Sequence, residues 1–186
     1  MDERFLQAFT DPARVSILGR RVWPFCLKHR VRLMALGSPL LDGRPVSPVD
    51  LLVGVQVCAE EPIGRPGLVD SWRLGKLRAN PELFEAELRR FGEYSLVTRW
   101  PKFWEKKEGA AGATSTIPWP LMVVANLIAS GIEEQRAWEM PECQAIWLNV
   151  ALIARKGGDV NVLSTEEEEF MAAILAAEKV ADPAKV

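Results

Sequence analysis

Catalytic and metal-binding side chains are scarce in this chain. Its 186 residues include one histidine, one tyrosine and three cysteines. Cys26, Cys58 and Cys143 lie far apart with no paired spacing, which fits a reducing compartment better than a disulfide framework. Neither sign of charge dominates. With 23 basic and 25 acidic residues the net charge is −2, which argues against a protein built mainly to coat nucleic acid or an anionic membrane. Long hydrophobic runs are missing as well. The stretches around 121–129 and 145–154 fall short of the roughly 20 residues a membrane-spanning helix needs. The start, MDERFLQAF, is acidic and shows no signal peptide. These features predict a soluble, cytoplasmic protein with no membrane partner.

What the chain does have is core material and tryptophan. Hydrophobic residues make up 48%, enough for one domain of ordinary size, and there are seven tryptophans. Tryptophan supplies large contact area in a core or at an interface.

The pattern of caps and breaks predicts a mainly α fold: a single helical domain over 1–186, with a short β-hairpin near the start. Arg14–Leu18 and Arg21–Trp23 read as its strands, turning at Gly19-Arg20. Pro24 can open a helix that runs to Leu36 and stops at Gly37. Ser47-Pro48-Val49-Asp50 reads as a capped helix start, although Val53, Val55 and Val57 also alternate as in a strand. Further helices are expected over 69–79, 81–98, 118–130, 132–139, 141–156 and 165–179. Asn80 and Ser164 serve as caps, with Glu167 at capping-box spacing from Ser164. The stretch 105–117 is small, polar and glycine-containing and reads as a flexible loop; 180–186 should fray.

Each chemical motif has a structural explanation beside it. Cys26 and His29 sit three apart on one expected helix, and Cys58 could add a third metal ligand. Zinc needs four ligands, or three plus water, and the chain has one histidine. His29 shares its face with Phe25, Leu33 and Leu36, so a core histidine beside an inert cysteine is the better reading. A cysteine nucleophile would use the same pair, with no evident orienting group or oxyanion donor. GAAG and RKGGD lack the strand, helix and Lys-Ser context of a phosphate loop. The run Glu166–Glu169 lacks the alternating oxygens of a calcium loop and matches a helix dipole. Arg20, Arg21, Lys28, Arg30 and Arg32 crowd around Trp23 and Phe25 as a nucleic-acid patch would, but a solvated face is the commoner cause. Trp100, Trp104, Trp119 and Trp138 flank the expected loop. They form either a partner patch or staples that fix the loop ends to the core.

The C-terminal half carries a further pattern: Ala137-Trp138-Glu139-Met140-Pro141, then Gln144-Ala145-Ile146-Trp147, a stop at Gly157 or Gly158, and Leu163 before the acidic helix. This layout resembles the tail assembly chaperones of tailed phages and prophages, and the N-terminal WPFCLKHRVRLMALGSPLL is similar to small phage proteins. The resemblance rests on caps and helix lengths. It implies a small helical protein of the host cytoplasm, without chemistry or cofactor, that binds the apolar tape-measure protein before the tail tube polymerises. An amphipathic client helix would lie in a groove between its helices. Trp119, Met122, Trp138, Met140 and Trp147 are the candidate groove residues, chosen because tryptophan and methionine suit a surface that accepts many helix faces. A permanent virion component, such as a small connector or tail protein, is the second reading. A thiol or metal enzyme using Cys26, His29 and Cys58 is the third. Self-association stays open.

Overall fold

A computed structural model describes residues 3–10, 15–60, 67–95, 100–103, 117–158, 160 and 162–181. The fold is mainly α, with nine α-helices and a short antiparallel hairpin among these residues. The expected loop at 105–116, Trp104 and the tail at 182–186 lie outside them.

The hairpin comprises β1 (Val15–Ile17) and β2 (Arg20–Val22), with Ile17 opposite Arg20. Its turn is therefore Leu18-Gly19, one residue earlier than the sequence predicted. Both residues have positive φ, 52° and 69°, as a two-residue turn matching strand twist requires. Leu18 is held there because its N–H donates to the buried Glu87 carboxylate at 2.8 Å.

The first helix, α1 (Glu3–Thr10), was not evident in the sequence. Next, α2 (Leu27–Ala35) begins three residues after Pro24, with Cys26 rather than the proline at its cap. It is followed by α3 (Pro48–Cys58), helical as the cap predicted. Ser47 Oγ accepts from the Asp50 N–H, and the Asp50 carboxylate accepts from the Ser47 N–H at 2.9 Å. Then come α4 (Leu68–Ala79) and α5 (Pro81–Tyr94), the latter capped by Asn80. The helix predicted to reach Thr98 ends at Tyr94, with Ser95 as its C-cap. Together with the hairpin, α2, α3 and α5 enclose a first core built around Ile17, Phe25, Leu33, Leu51, Val55 and Phe91. Gly54 lies where α3 meets this core. A Cβ there would stand 2.3 Å from Leu40 and 3.4 Å from the Phe91 ring.

The second half holds α6 (Trp119–Ala129), α7 (Glu134–Glu139), α8 (Glu142–Arg155) and α9 (Thr165–Ala181). Strand β3 (Lys102–Phe103) pairs antiparallel with β4 (Val162–Leu163), a two-residue contact the sequence did not signal. A second core gathers Leu27, Val123, Val124, Leu127, Ala137 and Ala145. Helix α2 thus serves both cores, giving Leu33 to the first and Leu27 to the second. Leu36, expected on its buried face, stands in solvent because the helix has already ended at Ala35. Helix α1 is pinned to this half. Arg4 donates to the Leu163 carbonyl at 2.5 Å and pairs with Glu168, while Gln144 donates to the Ala8 carbonyl at 3.0 Å.

Candidate partner-binding surface

The five residues chosen from the sequence fall into three groups. Trp119 opens α6 and is half-buried. Its ring meets Trp100 edge-on at 5.3 Å. The Arg30 guanidinium packs against both rings, 4.9 Å from the Trp100 centroid and 5.4 Å from those of Trp119 and Phe25. Arg30 Nε donates to the Glu142 carboxylate at 2.5 Å, and both side chains are almost wholly buried. Trp100 and Trp119 therefore act as staples over a buried ion pair. Glu142 is fixed further by its own N–H, which donates to the Phe25 carbonyl at 2.8 Å. Burial pushes its carboxyl above the usual range, and Arg30 opposes that rise. Glu142 Oε1 and Trp100 Nε1 are buried with no hydrogen-bond partner among the described residues.

One turn along α6, Met122 is exposed, as are Leu121 and Ile128. Val123, Val124 and Leu127 on the opposite side enter the second core. The helix, WPLMVVANLIA, contains no charged residue, so its outward face is apolar where water would ordinarily select charge.

Trp138 and Met140 form the second group. Both are half-buried against the second core. Trp138 lines a hollow of about 350 Å³ with Lys28, Val31, Arg32, Gln135 and Glu139. Met140 lines an adjoining hollow that shares Gln135 and Glu139. The third group is Trp147 alone. It lies half-buried on α8 and meets Phe5 of α1 edge-on at 5.5 Å. The five residues do not line one continuous groove. Trp119 and Trp147 were turned inward by Arg30 and Phe5, partners more than eighty positions away that no spacing rule could indicate.

Cys58 belongs to the first core, and Cys26 and His29 are buried at the start of α2. Cys26 and Cys58 are free and buried. Burial raises both thiols, Cys58 to about 12. His29 is lowered to about 4, first by burial and then by Arg32 and Lys28. Its Nδ1 accepts from the Cys26 N–H at 3.4 Å, so at neutral pH the ring is uncharged with its remaining proton on Nε2. Thiols held this strongly protonated are poor nucleophiles, and the imidazole turns its accepting nitrogen to backbone. Among the described residues no three His, Cys, Asp or Glu side chains converge to hold a metal ion.

The basic cluster is partly spent on internal pairs. Arg20 pairs with Asp70 at 2.7 Å, Arg30 with Glu142, and Lys28 with Glu139 at 3.1 Å. Among the described residues no helix is long and apolar enough to cross a membrane. No family model, curated protein or solved structure matches this chain.

Proposed function

We propose that this chain is a non-enzymatic phage tail assembly chaperone that holds the apolar, helical tape-measure protein in the host cytoplasm before the tube polymerises. The phage setting rests on the resemblance in the C-terminal half. The observation that carries the binding role is the outward face of α6. An eleven-residue helix without a charge exposes Leu121, Met122 and Ile128, in a chain of which 26% is charged. Leu121 and Ile128 are two turns apart on one stripe, with Met122 beside it, a spacing that suits the apolar stripe of a client helix laid alongside. Methionine adapts to client side chains of different shape.

This reading narrows the five sequence candidates to Met122 as a direct client contact, while Trp119 packs over Arg30 and Trp147 against Phe5. Co-expression tests it. A tape-measure fragment that is insoluble alone should be recovered in a soluble complex with this protein; a fragment insoluble in both cases overturns the reading. A permanent virion component would instead be found in purified particles, from which a chaperone is absent.

A further inference from the structure

We propose that the groove between α2 and α7 receives helix α9 of a second copy of this chain. The groove consists of two hollows, about 350 and 260 Å³, that share Lys28, Arg32 and Glu139. Trp138 and Val31 line the larger hollow, and the exposed Trp23 and Val57 line the smaller one. The Lys28–Glu139 pair joins the two sides of the groove. Each of its side chains is nearly half exposed, so it opens at little cost. Arg32 has no ion pair among the described residues, which leaves this otherwise balanced groove with one uncompensated cation. Its complement is an apolar helix that carries a carboxylate.

Helix α9 has that chemistry, and among the described residues nothing covers its outer face. Of the glutamates in its first turns, Glu168 pairs with Arg4 and Lys102, and Glu167 closes the cap with Ser164. Glu166 and Glu169 are exposed and unused by these contacts. Beyond them Phe170 is 67% exposed, and Met171 and Ile174 also face solvent. Glu166, Phe170 and Ile174 follow one another at intervals of four, so acid and apolar groups share a face. The first turn of α9 is tied by Glu168 and the β3–β4 pair to its own α1 and β3. Its free face is therefore offered to a neighbour. Exchange of the two α9 helices makes an isologous, closed dimer in which each copy fills the other's groove. The α6 face stays open for a client.

Sedimentation equilibrium of the full chain across a concentration series tests this directly. The expected result is a monomer–dimer equilibrium; a monomer at every concentration overturns the proposal. Arg32 and Phe170 are exposed, so Arg32→Glu and Phe170→Glu should fold, and each should weaken dimerisation by about tenfold or more. Unchanged dimerisation in either variant overturns the proposal. Combining Arg32→Glu with Glu166→Arg and Glu169→Arg should restore the dimer, and failure to restore it counts against the pairing. The α6 reading is scored separately by client solubility, so either can fail while the other stands.

Discussion

Removing the Glu142 carboxylate should destabilise this protein strongly. In Glu142→Leu the Arg30 guanidinium stays buried without its counter-ion, and arginine cannot shed its proton to escape. Breaking such a pair from one side costs about 3–5 kcal/mol. The three aromatic faces around Arg30 remain and offset a part of that, about 1 kcal/mol. A loss of about 3 kcal/mol is expected, a large share of the roughly 5–15 kcal/mol that holds a domain of this kind together. Arg30→Met has a different signature. It leaves Glu142 buried and alone, and a carboxyl can neutralise itself by binding a proton. Its folded pKa then lies above the unfolded value, so its contribution is fully present below the unfolded pKa and is lost as pH rises through the folded one. Arg30→Met should therefore be nearer to wild type at pH 5 than at pH 7. The double variant Arg30→Met/Glu142→Leu removes both charges and should recover to within about 1–2 kcal/mol of wild type. Urea unfolding followed by circular dichroism and tryptophan fluorescence supplies all three values. A cost below about 1 kcal/mol for Glu142→Leu, or a double variant worse than both singles, would refute this reasoning.

Three further outcomes follow from the same packing. His29 has its folded pKa lowered to about 4, so the unfolded chain binds more protons between pH 7 and 5 and stability should fall by about 2 kcal/mol over that range. The drop should shrink in His29→Gln, measured by urea midpoints at both pH values. Gly54→Ala should cost about 1–3 kcal/mol, because the new methyl group must displace Leu40 and crowds the Phe91 ring; the thermal midpoint reads this. Met122→Glu should leave the protein folded, since the side chain is 40% exposed, yet should abolish solubilisation of the tape-measure fragment.

Local rules made most of the fold legible before any coordinates. The Ser47, Asn80 and Ser164 caps are all formed, because a cap involves residues two or three apart and little else. Tertiary pairings were not legible. Glu142 drew no notice in the sequence, and nothing in its neighbourhood points to Arg30, 112 positions away. Helix α1 has only eight residues and depends on distant contacts from Arg4 and Ala8. The hairpin turn moved to Leu18 because Glu87, on a helix formed much later in the chain, captures its N–H. Residue type marked the surface only coarsely. Tryptophan and methionine were the right kinds of group to examine, but Trp119 was turned inward by a cation and Trp147 by an aromatic ring. The uncharged stretch from Trp119 to Ala129 was the better signal, since a helix at the surface with no charge must present apolar groups on some side.

The most direct test of the account is side-chain footprinting of the protein alone and in complex with a tape-measure fragment. Carbene labelling at Leu121, Met122 and Ile128 should fall severalfold on binding, while labelling at the more exposed Leu36 and Trp72 stays unchanged. Undiminished labelling of the α6 face in a stable complex would contradict it.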